Sequence, residues 1–297
     1  MNKKLQEIPL HLMLLPGVIL TLIFNYVPIA GIVIAFQKFV PSKGIFHSKW
    51  IGLDNFRYML EMPNFSSVVW NTVFIAVMKI IVHLIVPVIF ALLLNEVIST
   101  AFKRTVQTII YFPYFLSWVI LGGILIDILS PSAGIVNQFL GLIGIEPIFF
   151  LGNENWFPFT LVASDTWKEF GYSTIVYLAA LTAIDQSLYE AAVMDGANRW
   201  KQTLHVTIPG MMPIVTLMTV LSLGNVLNAG FDQVFNLYSP MVYSTGDIID
   251  TMVYRIGLVD AQYGVATAVG LFKSVIAFIL IVISNKLANR FTGYRIF

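Results

Sequence analysis

Apolar runs long enough to cross a bilayer recur six times along the chain, separated by polar stretches of uneven length. A helix rises 1.5 Å per residue, so about 20 apolar residues cover the roughly 30 Å of hydrocarbon. The runs fall at about residues 9–36, 68–95, 105–129, 159–184, 209–231 and 263–285. No charge interrupts the first between Ile8 and Gln37, while the second holds Lys79, the third Asp127 and the sixth Lys273. The fourth is the most polar, and the fifth has no Asp, Glu, Lys or Arg from Gln202 to Phe231. The pattern predicts an all-α integral membrane protein: six transmembrane helices forming a single transmembrane domain over 1–297. The opening MNKK before an apolar run has the look of a signal peptide, but the run is too long and lacks a small-residue cleavage site, so a retained first span is expected.

Composition strengthens the membrane reading. Of 297 residues, 58% are hydrophobic and 11% charged, against about 25% charged in an ordinary soluble domain, and the mean hydropathy is +0.82. A net charge of +1 offers no field for nucleic acid. There is no cysteine, which excludes disulfides, thiolate metal sites and cysteine nucleophiles. His11, His47, His83 and His205 are scattered without metal-ligand spacing, so no metal and no catalytic residue is expected.

Six crossings put both termini on one side, and the Lys/Arg bias says which. With the termini, the 96–104 link and residues 185–205 in the cytoplasm, that side holds Lys3, Lys4, Lys103, Arg104, Arg199, Lys201, Lys286, Arg290 and Arg295. The other side holds Lys38, Lys43, Lys49, Arg57 and Arg255, four of them in one loop. Both termini are therefore expected inside. The outer loops 37–67, 130–158 and 232–262 are longer than plain connectors need, and VNQFLGLIG in the middle one predicts a short helix at the interface.

Residues 185–209 are a polar interruption that reads as two short helices at an angle. Ser187 and Glu190 have capping-box spacing, and Gly196 suits the left-handed residue that ends a helix. Asn198 is placed to cap a second helix, Trp200 and Leu204 share a face at i, i+4, and Pro209 fits the first turn of the next span. The result is a knob with an apolar patch of Tyr189, Ala192, Val193 and Trp200, rimmed by Glu190, Asp195, Arg199 and Lys201. Such a rim suits a groove on another protein.

EAAVMDGA followed by VTIP resembles the EAA loop of permease subunits in binding-protein-dependent ABC importers: Glu-Ala-Ala, three residues, Gly, nine residues, Ile-x-Leu-Pro. Glu190, Ala191, Ala192, Gly196 and Pro209 stand at matching positions, Val206 and Ile208 replace the pattern's Ile and Leu, and Leu204 sits where an aromatic is usual. LLPGVILTLIFNYVPIAGIVIAF, WIGLDNFRYM, VNQFLGLIGIEPI and DIIDTMVYRIG are similar to polysaccharide-type permeases of the carbohydrate-uptake group. The resemblance implies the MetI-like type I ABC permease fold with a cytoplasmic coupling loop. It implies that Tyr189, Glu190, Ala191, Ala192, Asp195, Gly196, Arg199 and Trp200 seat in an ATP-hydrolysing subunit. The rest of the complex follows from the same resemblance: a second permease subunit forming a heterodimer with this one, two ATP-binding subunits that hold ATP and magnesium, and an extracellular solute-binding protein. Alternating access for an oligosaccharide or polysaccharide fragment in a bacterial cell membrane is the implied function. The chain has no Gly-x-x-x-x-Gly-Lys-Ser/Thr loop with which to hold ATP itself.

Within the spans, each charge costs about 2.5–3.5 kcal/mol on insertion scales and should face protein or water. Lys79 and Lys273 are expected in a subunit interface or snorkelling, and Asp165, Lys168 and Glu169 as a self-compensating cluster toward the outer end of the fourth span. Sugar passage needs hydrogen-bonders and aromatic faces. Ser222, Asn225 and Asn228 at i, i+3 and i+6 of the fifth span, and Tyr111, Tyr114 and Trp118 at i, i+3 and i+7 of the third, are candidates. Helix packing and an interfacial aromatic belt are the plainer alternatives. Two other classes stay open at this point: an ion-driven carrier, which needs buried titratable pairs and repeats, and an intramembrane enzyme, for which Asp127 and Asp165 are a thin basis. Amino-acid, polyamine and phosphate-ester importers share the coupling loop, so import of such a solute is the alternative to a carbohydrate.

Overall fold

The computed structural model describes residues 3–224 and 226–292. They divide into two compact units: Met1–Phe65 with Met252–Ser274, and Ser66–Thr251 with Val275–Phe297.

In the first unit, His11–Phe36 is one unbroken helix of 26 residues. It passes through a wide π turn at Leu22–Tyr26 into a tighter 3-10 stretch at Val27–Phe36. Pro28 lies just past the π turn, and a proline clashes with the carbonyl four residues back, so the widened turn gives it room. The chain then forms a two-residue antiparallel ladder, Gln37 opposite Trp50 and Lys38 opposite Lys49, which the apolar pattern did not anticipate. The Asn55 side-chain amide donates to the carbonyls of Ala35 at 2.8 Å and Gln37 at 3.0 Å, satisfying groups left open where the span ends. Phe65 meets Phe272 at 5.4 Å and Phe39 meets Tyr263 at 5.9 Å, which packs the start of the sixth span into this unit.

The second unit is organised around two long helices, Phe65–Glu96 and Phe157–Thr182. Its main core joins Ile75 and Ala76 of the former, Leu121 and Leu125 of Trp118–Ile128, Phe157 and Leu161 of the latter, and Val234 and Leu237 of Phe231–Leu237. A second cluster joins Ala91, Tyr177, Leu181, Ile184 and Met211. The middle loop carries the expected short helix at Ile135–Leu142. Its base is fixed by Asn137, whose amide donates to the carbonyls of Leu129, Ser130 and Ile148.

Among the described residues, four helices are long and apolar enough to cross a membrane, or five if one sharply bent pair is a single span. The fourth expected span, Phe157–Thr182, is 26 residues long but is too polar to count by that measure. Two expected spans are corrected. The third is not continuous: Thr100–Phe115 and Trp118–Ile128 meet at 107°. Pro113 cannot donate into the ladder, and the Ser117 hydroxyl accepts from Ile120 N–H to start a new helix. The fifth neither begins nor ends where the apolar run does. Arg199–Leu223 is one helix, passing through a π turn at Thr203–Thr207 just before Pro209, and it stops at Leu223 rather than 231. The second arm of the knob is therefore the foot of the fifth span rather than a separate helix. Backbone breaks at membrane depth require protein or water partners for the freed groups.

Candidate functional site

Two regions concentrate unusual chemistry, and both lie within the second unit. The first is the polar hook. Its helix runs Gln186–Met194 and is capped by Asp185, whose carboxylate accepts from Ser187 N–H at 2.9 Å. The Ser187–Glu190 capping box is thus a correction: the cap sits two residues earlier, because Asp185 holds the extended backbone of a cap and Ser187 is already helical. That hydrogen bond holds the Asp185 carboxyl below the usual carboxylate range. At the other end Gly196 has φ +74°, where a side chain is strained. Gly196 N–H donates to Val193 O and Ala197 N–H to Ala192 O, both at 2.9 Å, which is a Schellman closure. Asn198 caps the following turn through Lys201 N–H at 2.9 Å.

The apolar patch also needs correcting. Tyr189 turns inward: it is half-buried against the Tyr177–Met211 cluster, with its hydroxyl 3.0 Å from Thr207 Oγ1, and ties the hook to the foot of the fifth span. Ala192 is half-buried. The exposed large apolar side chains of the hook are Leu188, Val193, Met194 at 86% exposure and Trp200 at 69%. Glu190, Ala191 and Asp195 are exposed around it. Arg199 reaches the second span, with Nη1 2.6 Å from Glu96 Oε2. Leu188 and Met194 were legible as apolar positions in an otherwise exposed helix.

The second region is an open cavity of about 410 Å³, lined among others by Lys79, His83, Asp165, Glu169, Ser222 and Asn228. Ser222 and Asn228 do meet here, though not on one helical face: the helix stops at Leu223, and Asn228 lies in the irregular stretch that follows. Asn225 lies outside the described residues. Asn228 is exposed, and its Oδ1 accepts from Gly230 N–H at 3.4 Å.

The wall of this cavity is held by Lys79, which is buried within the chain and neither snorkels nor waits for another subunit. Its ammonium donates to Ala229 O at 2.7 Å and to Gln233 Oε1, and lies 3.4 Å from Asp165 Oδ2. His83 Nε2 is 3.3 Å from the same carboxylate oxygen. Gln233 is fully buried, and its amide donates to Leu161 O at 2.7 Å and Ser164 Oγ at 2.8 Å. Asp165 therefore pairs with the second span rather than with Lys168, and the expected self-compensating cluster is split. These groups, eight residues or more into the fourth helix, lie well inside it rather than at its end. Lys79 and His83 at i, i+4 were the sequence signal for a shared polar face.

Lys168 makes the parallel arrangement at the break in the third span. It donates to Tyr114 O at 2.7 Å, lies 3.6 Å from Glu169 Oε1, and sits 5.1 Å and 5.9 Å from the Tyr114 and Trp118 ring centroids. Tyr114 stacks on Tyr172 with centroids 4.3 Å apart. Tyr114 and Trp118 thus converge across the bend; Tyr111 is half-buried and makes none of these contacts.

A family model described as binding-protein-dependent transport system inner membrane component matches residues 83–293. The polygalacturonan/rhamnogalacturonan transport system permease protein YteP of Bacillus subtilis (strain 168) is 42% identical over 289 residues, 97% of this chain and 90% of that protein. Protein LplB of the same organism is 39% identical over 288 residues, 97% of this chain and 91% of that one. A chain of a bacterial ABC transporter involved in the import of the acidic polysaccharide alginate matches with a TM-score of 0.89 and 38% identity over 97% of both chains. The alginate transporter in complex with an alginate pentasaccharide-bound periplasmic protein gives a TM-score of 0.89 at 36% identity, over 98% of this chain and 97% of that one.

Proposed function

Because the chain belongs to the family of binding-protein-dependent transport system inner membrane components, we propose that it is the permease subunit of an ATP-driven importer of oligosaccharides or polysaccharide fragments. The single observation that carries the carbohydrate is the 42% identity to a polygalacturonan/rhamnogalacturonan permease across 97% of the chain. The likeness to the alginate transporter, at a TM-score of 0.89, supports the same class.

On this reading both termini and the hook face the cytoplasm of a bacterial cell. The exposed apolar side chains Leu188, Val193, Met194 and Trp200 seat in a separate ATPase, of which two copies bind ATP and magnesium. A second permease subunit completes the pathway, and an extracellular solute-binding protein delivers the glycan to it. The Schellman-closed hook suits this role, since a rigid element passes on a push that a flexible loop would absorb. Its second arm is continuous with the fifth span, so a displacement of that arm is carried along one helix to the cavity lined by Ser222. Inward and outward openings would alternate as packed helices shift.

The test is reconstitution of the chain with its partner permease, ATPase and binding protein in liposomes. Labelled oligogalacturonides should accumulate only with ATP and binding protein together. Accumulation by this chain alone, driven by an ion gradient, would overturn the reading.

A further inference from the structure

We propose that Lys79 is a positioning residue for transport, fixing the irregular backbone at Asn228–Gly230 so that Asn228 faces the cavity beside Ser222. The inference rests on the transport reading above and adds to it a residue that acts without touching cargo.

The fifth helix ends at Leu223, and the next, Phe231–Leu237, begins after Gly230 at φ +93°. Asn228, Ala229 and Gly230 lie outside any helix or turn, and within a membrane segment an unpaired carbonyl is costly. Lys79 sits near the middle of its 32-residue helix and is 6% exposed. An ammonium has three donors and no acceptor. Here they face Ala229 O, Gln233 Oε1 and the Asp165 carboxylate, all protein groups. No donor is left for a ligand, so the residue acts through the segment it holds. Gln233 is itself oriented by Leu161 O and Ser164 Oγ of the fourth span, which clamps the unwound stretch from both sides. Gly230 completes the fit, since a Cβ there would stand 2.9 Å from Lys79 Nζ. Lys168 and Tyr114 O repeat the device at the other break, with Glu169 as counter-ion. In both cases a lysine of an unbroken helix takes up a carbonyl freed where a neighbouring helix is interrupted.

The test separates hydrogen bonding from charge balance in the assembled transporter. Lys79→Met alone strands the Asp165 charge and is expected to assemble poorly. Lys79→Met with Asp165→Asn is charge-neutral but has no donor at residue 79, whereas Lys79→Gln with Asp165→Asn is charge-neutral and keeps one. In a separate set of chains, Asn228→Cys supplies a reporter where there is no native cysteine, and its labelling by a small methanethiosulfonate follows the segment directly, while uptake is read in chains that keep Asn228. The Met double variant should change the labelling rate and lower glycan uptake per ATP by about three- to tenfold, the factor one hydrogen bond is worth. The Gln double variant should stay within about twofold of the parent on both readouts, the smaller loss expected when a donor is kept. The half-saturating concentration of glycan-loaded binding protein should not move, because Lys79 is buried and offers no surface for docking. Equal labelling in both doubles and the parent would overturn the proposal, as would equal impairment of both doubles. If labelling follows the donor but the parent complex moves no glycan, the positioning role stands and the transport reading falls.

Discussion

Arg199 and Glu96, 103 positions apart in sequence, meet at 2.6 Å and join the foot of the fifth span to the end of the second. Both side chains are well exposed, so the pair contributes only about 0–1 kcal/mol to stability. Its geometry matters more, because it adds a second attachment for the hook. Arg199→Glu should leave assembly and melting temperature nearly unchanged yet lower uptake per ATP hydrolysed, and Arg199→Glu with Glu96→Arg should restore it. Equal coupling ratios in the single variant and the parent would show that the bridge transmits nothing.

Gly196 closes the hook at φ +74°, and nothing lies within 4 Å of where a Cβ would stand, so a substitution there acts through backbone strain alone. A left-handed residue other than glycine costs about 1–2 kcal/mol, more for a β-branched side chain. Gly196→Val should therefore redirect the chain after Met194 and uncouple ATP hydrolysis from uptake while the spans still insert. Normal uptake with normal insertion would remove the rigid-bend account.

Helix existence was readable because apolar runs of more than 20 residues have few other fates, and Gly196 and Asn198 announced the hook by residue type. The breaks were harder to see. Pro113 and Ser117 in the third run, and Gly224 with Gly230 in the fifth, are ordinary in apolar sequence until a partner is found for the carbonyls freed beside them, Tyr114 O and Ala229 O, and those partners, Lys168 and Lys79, lie on other spans. Periodicity placed Ser222 and Asn228 together for the wrong reason, since their cavity is assembled across a break. The inward turn of Tyr189 depended on Thr207, a contact that helical spacing could not reveal.

Orientation has a direct check, because the chain has no cysteine and any introduced thiol is unique within it. Met194 is 86% exposed on the hook and Phe46 is 95% exposed in the loop after the first span. With the proposed topology, Met194→Cys should react with a membrane-impermeant maleimide only in inside-out vesicles, and Phe46→Cys only in intact protoplasts. The opposite result would place the hook outside and remove the proposed contact with a cytoplasmic ATPase.

Ser222 and Asn228 bring a hydroxyl and an amide to a cavity wall that also carries His83 and Glu169, a set suited to sugar hydroxyls because it mixes donors and acceptors at short range. Ser222→Ala with Asn228→Leu keeps the approximate volume, leaves the Lys79 contacts in place and removes two hydrogen-bonders. Each neutral hydrogen bond is worth about 0.5–1.5 kcal/mol, so uptake should fall by about tenfold or more. ATP hydrolysis in the absence of glycan should be unaffected, since neither residue contacts the hook. Unchanged glycan uptake by the double variant would mean that cargo passes elsewhere and that these two side chains serve only to pack the broken span.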